Sequence, residues 1–129
     1  MNNPNDIGKA VKSLLEGSEK VMGITHGRIY PVVALSQDTP CLVYVKDSVQ
    51  PARVKANSLY HKALVTVAVL AQSYSEMVEL SGEVICALDG ADGCIAGIRI
   101  KSISWLEARD NYEEGVYQQY LQFEIKILP

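Results

Sequence analysis

Ala63-Leu64-Val65-Thr66-Val67-Ala68-Val69-Leu70-Ala71, followed at once by Ser73-Tyr74-Ser75-Glu76-Met77, is the stretch on which the fold turns. Its apolar residues fall on both parities: Ala63, Val65, Val67, Val69 and Ala71 line one face, while Leu64, Ala68 and Leu70 make the other largely apolar. The β-branched content and the period of two predict a strand over Leu59–Gln72. A strand apolar on both faces is central, or is covered on its second side by a helix or another subunit. The period then changes. Ser73 or Ser75 can cap a helix whose buried face carries Met77, Leu80, Val84, Ile85 and Leu88 and whose wet face carries Glu76, Glu79 and Glu83. Acids early in that helix favour its positive end.

Upstream, Ile7, Ala10, Val11, Leu14 and Leu15 recur at helical spacing after Asn5 or Asp6, either of which can cap the helix, and Gly17 ends it in the expected left-handed position. Arg28–Val33 reads as a brief strand that Pro31 keeps out of the sheet centre, because proline donates no ladder hydrogen bond. Pro40–Lys46 is a firmer strand. Asp47–Ser58 is polar, contains Pro51 and reads as an exposed hairpin tip or long loop.

Downstream, Asp89–Gly97 reads as a glycine-rich turn. A strand from Ile98 to about Arg109 changes phase partway, since Ile98 and Ile100 share one parity and Ile103 and Trp105 the other, which predicts a bulge near Lys101-Ser102. Asp110–Gly115 connects it to a cleanly alternating strand, Val116–Leu128, with Tyr117, Leu121, Phe123, Ile125 and Ile127 inward. No internal repeat or long linker interrupts the chain. The expectation is one α+β domain over residues 1–129, order α-β-β-β-α-β-β, with two helices on one face of a mainly antiparallel sheet.

Composition narrows the function. The 129 residues are 48% apolar and 21% charged, enough for one sizeable core. A net charge of −3 with scattered Lys and Arg argues against nucleic-acid binding, which needs clustered cations. The N-terminus has no basic or apolar signal region and no stretch is long enough to span a bilayer, so neither secretion nor a membrane partner is expected. Cys41, Cys86 and Cys94 read as reduced thiols in structural roles.

Candidate chemistry is thin. His26 and His61 have no acid or cysteine at ligand spacing, and Cys86 and Cys94 are seven residues apart, unlike any short zinc pair. Asp89-Gly90-Ala91-Asp92-Gly93 lacks the alternating acids and trailing glutamate of a calcium loop, and it precedes a strand where a phosphate loop would precede a helix. No nucleophile elbow occurs. Glu107, Asp110, Glu113 and Glu114 around Arg109 read as a solvated rim. No enzyme activity, metal or cofactor is expected.

Against that background, Gly27-Arg28-Ile29-Tyr30-Pro31, Thr39-Pro40-Cys41-Leu42-Val43-Tyr44, the Ala63–Ala71 strand and Ser73-Tyr74-Ser75-Glu76-Met77 resemble the small phage tail completion proteins of the tail-terminator type, over nearly the full length. The resemblance implies a structural subunit, without catalytic residues, that forms a ring, commonly a hexamer, at the head-proximal end of the tail tube and joins it to the head. Its partners would be itself, the tail tube protein and head-tail connector proteins. It would be made in the host cytoplasm and reside in the virion tail. The candidate contact residues are Arg53, Val54 and Lys55, in a long polar loop that places cations on an acidic protein, and Trp105 beside Leu106 on an apolar rim. A head-completion or stopper protein, a non-viral binding module and a small hydrolase with an unrecognised site are the alternatives.

Overall fold

The computed structural model describes residues 3–34, 38–51 and 60–128. Three α-helices pack on one face of a six-stranded sheet of order β1-β2-β3-β6-β5-β4, so the α+β class and the single helical face are as the periodicity predicts. The expected central strand is β3, His61–Ala71, hydrogen-bonded between β2, Cys41–Gln50, and β6, Val116–Ile127. Ala63, Val65, Val67, Val69 and Ala71 are all buried, and they meet Leu121, Phe123, Ile125 and Ile127 of β6 in the same core.

Helix α1, Ile7–Glu16, buries Ile7, Ala10, Val11 and Leu15, while Leu14 sits half-buried at the core's margin rather than inside it. Its start differs from expectation. Pro4–Asp6 forms a short 3₁₀ turn capped by Asn3, whose Oδ1 accepts from the Asn5 amide at 3.0 Å, and Asp6 makes no side-chain cap bond. Gly17 is not left-handed either, with φ −76°. The chain instead makes a second helix, α2, Glu19–Thr25, capped by Ser18 Oγ on the Val21 amide at 3.3 Å. The left-handed stop comes at His26, φ 55°, and Gly27, φ 83°. Ser18 before Val21, Met22 and Ile24, with His26-Gly27 behind, was the available sequence signal for α2.

Helix α3, Tyr74–Leu88, is capped by Ser73 and buries Met77, Leu80, Val84 and Leu88, leaving Ile85 half-buried. Glu83 on its wet face lies 3.8 Å from Lys20 of α2. Strand β1, Ile29–Pro31, is an edge strand, as Pro31 requires, and pairs parallel to β2.

The strands run further than the turn-forming residues suggest. β2 continues through Asp47–Gln50 after a register shift between Lys46 and Ser48, so the first part of the expected loop is strand. The expected glycine-rich turn contains a strand, β4, Gly93–Ile95, joined to β5, Ile98–Glu113, by Ala96 and Gly97 at φ 51° and 80°. Two successive positive φ values give the tight turn that matches strand twist. Glu114 and Gly115, φ 51° and 83°, do the same between β5 and β6, so Asp110–Glu113 belong to the ladder and not to the connection. Polar cross-strand pairs accompany this extension: Asn111 donates to Gln118 at 2.9 Å and Gln119 to Asp110 at 2.6 Å. The expected bulge is present between Ile100 and Ser102, and a second lies between Trp105 and Glu107.

Candidate interaction surface

Strand β5 has sixteen residues but a short partner on its outer side. β4 pairs with Ile98–Ile100 only. The carbonyl of Ile103 then accepts from the Gly90 amide at 2.9 Å, and the Trp105 amide donates to Asp89 Oδ1 at 2.9 Å. Beyond that, among the described residues, Leu106–Glu113 has no strand on its outer edge. An unpaired edge of this length is what proteins usually protect or use.

The second bulge shapes the surface there. It places Trp105 and Leu106 side by side, 43% and 49% exposed, and Trp105 Nε1 donates to the Glu107 carbonyl at 3.0 Å, which fixes the indole on the rim. Further along, Tyr112 is exposed and packs edge-on to Tyr117 with ring centroids 4.8 Å apart, and Tyr117 in turn meets Tyr74 of α3 at 6.3 Å. Between Leu106 and Gly115 the sequence carries Glu107, Asp110, Glu113 and Glu114 with one cation, Arg109, whose Nε lies 3.6 Å from Glu107. The edge is therefore apolar and acidic at once. Of the expected contact residues, Trp105 is on this surface, whereas Arg53, Val54 and Lys55 lie outside the described residues.

At the opposite side of the strand order, β1 is followed by Val32 and Val33, both exposed. A cleft of about 260 Å³ opens beside them, lined by Asn5, Asp6, Lys9, Val32, Tyr44 and Lys46. Gly8 lets α1 lie against the Tyr44 ring, since a Cβ there would come within 3.2 Å of it. Lys46 Nζ donates to the Asn5 carbonyl at 2.9 Å and also to its side chain, and Lys9 faces Asp6 at 3.7 Å. Burial first, and Glu16 second, push the Tyr44 hydroxyl above its ordinary pKa, so it stays neutral.

A second depression, about 400 Å³, is lined by Thr39, Cys41, Leu70, Glu113, Glu114 and Gln118. Burial raises the Cys41 thiol despite the Arg28 charge nearby, which keeps it protonated and poor as a nucleophile. Among the described residues no group of three or more His, Cys, Asp or Glu could hold a metal, and no helix is long and apolar enough to cross a membrane. Chelator treatment is expected to leave the melting temperature unchanged, and a stoichiometric zinc signal in elemental analysis would contradict that.

Fold and surface together define an α+β domain with a long outer strand edge. The comparisons give its family. The family described as Tail completion protein gp17 matches residues 9–128. Among solved structures, a chain of the "Virion of native gene transfer agent (GTA) particle" superposes with a TM-score of 0.72 at 14% identity, over 92% of each chain. No curated protein matches. The chain belongs to the tail completion protein gp17 family, and is a structural phage tail protein.

Proposed function

We propose that this tail protein assembles into a ring, hexameric as the sequence resemblance implies, at the head-proximal end of the tail tube, where it terminates the tube and joins it to the head. The observation that carries the reading is the β5 edge: an eight-residue run, Leu106–Glu113, with no strand on its outer side among the described residues, beside exposed Trp105 and Leu106, on a domain whose fold is also found in a virion particle. The protein acts by contact and not by catalysis. Its partners are further copies of itself, the tube protein and the head-tail connector proteins, and it reaches the virion from the host cytoplasm where it is made.

Solution mass and negative-stain imaging of the purified chain, alone and with tail tubes added, test the ring. A chain that remains monomeric in both conditions overturns it. The loop expected over Asp47–Ser58 is tested separately, by reversing Arg53→Glu with Lys55→Glu. That variant should fold normally yet fail to complete tails, because two cations on an acidic subunit steer it onto an acidic partner and fix register. If it forms rings and completes tails at moderate salt, the loop is not the contact.

A further inference from the structure

The two unlike edges of the sheet suggest how one copy meets the next. The free edge of β5 presents Trp105 and Leu106, with Tyr112 59% exposed further along, among four acids and one arginine. The β1 side presents an apolar cleft that carries two lysines against one aspartate. Charge is complementary between these two places: Lys9 and Lys46 outweigh Asp6 in the cleft, whereas Glu107, Asp110, Glu113 and Glu114 outweigh Arg109 along β5. A cavity of about 150 Å³ accommodates a benzene ring, so about 260 Å³ has room for one aromatic side chain. Trp is the residue type that most often anchors such contacts, and an indole among lysines gains from their charge as well.

Val32 adds an independent mark. It is a β-branched residue held at φ 66° and left 67% exposed at the cleft's lip. That backbone region is unfavourable for such a side chain, and strain of this kind collects at functional sites and ligand clamps.

Symmetric pairing of two β5 edges is disfavoured by the same residues. Centred on Asp110, it would bring Glu107 of one copy against Glu113 of the other and Asp110 against Asp110, and like charges across a strand pair destabilise it. Strand addition at β1 is also blocked. Pro31 has no amide hydrogen there, and the amides of Ile29 and Val33 are spent on the Gly27 and Pro31 carbonyls at 2.9 and 2.7 Å.

We infer that the occupant of the Val32–Lys9–Lys46 cleft is a second copy of this chain, which inserts the Trp105–Leu106 rim of its β5 edge head-to-tail. A head-to-tail contact between two different patches of identical subunits generates a closed ring where its rotation closes and an open helix where it does not. The inference deepens the ring reading and rests on it.

Two double variants separate the surfaces. Trp105→Ser with Leu106→Ser removes the rim, and Val32→Asp with Lys9→Glu spoils the cleft. All four side chains are substantially exposed, so both variants should keep the wild-type melting profile. Each alone should lose self-association by on the order of a hundredfold or more. Mixed in equal amounts, they should form a heterodimer and nothing larger by native mass spectrometry, because only one intact rim and one intact cleft remain to meet. Rings formed by either variant alone, or folded variants that show no heterodimer when mixed, would overturn the head-to-tail pairing while leaving a wild-type ring standing. A wild-type chain that stays monomeric alone and with tail tubes removes the ring and this pairing together.

Discussion

Replacing Phe123 with alanine is expected to lower the free energy of unfolding by about 3–5 kcal/mol, the usual loss for emptying a buried aromatic site. Phe123 is fully buried in β6, opposite Val65 of β3 on one side and Trp105 of β5 on the other. Its ring lies in the core shared with the helices, so its loss removes both the burial of the ring and the packing of its neighbours. Native domains are stable by only about 5–15 kcal/mol, so the change consumes a third or more of the total in most cases. Urea denaturation of the isolated chain would measure it. A loss below about 1 kcal/mol would mean that β6 turns its other face to the core.

An acid on the core face of the central strand should do still more damage. Val67→Asp places a carboxylate at a fully buried site with Leu121 and Tyr44 as its ladder partners, and neither offers it a countercharge. The expected cost is at least about 4 kcal/mol, enough to leave the variant largely unfolded or with its carboxyl forced neutral. Ala68→Asp is the control. Ala68 is half-buried on the face opposite the helices, opposite Val43 and Tyr120, so the isolated subunit should tolerate the acid with a loss of roughly 1 kcal/mol. Circular dichroism melts of the pair decide the matter, and equal losses would mean that both faces of β3 are covered within one chain.

The Val67 and Ala68 pair also marks how far the sequence could be read. Alternation along β3 and β6 is local, because successive side chains point to opposite faces whatever surrounds them, so the core face of each was legible residue by residue. The phase change between Ile100 and Ile103 revealed a bulge for the same reason. The 3.6-residue pattern of α1 and α3 was equally plain. Helix α2 is seven residues long, too short for periodicity to stand out, and only its Ser18 cap and His26-Gly27 stop announced it.

Strand ends were less legible. Asp47–Gln50 and Asp110–Glu113 are polar and turn-prone by composition, yet both continue ladders, because a hydrogen-bonded neighbour and polar cross-strand pairs outweigh weak strand propensity. Gly93–Ile95 became a strand because two positive φ values at Ala96 and Gly97 folded it back on β5. The Trp105–Leu106 rim could be named from the sequence, but its second bulge could not.

By itself, then, the sequence determined the class, the helical face, the order of the long elements and the family, since each rests on local periodicity or on short stretches of chain. The tertiary structure alone decided where β5 has no outer strand among the described residues, that β1 lies at the other side of the strand order, and that Lys9, Val32, Tyr44 and Lys46 share one cleft. These depend on which strands pair and where each pairing stops. That is set by contacts between residues far apart in the chain, and no local pattern encodes them.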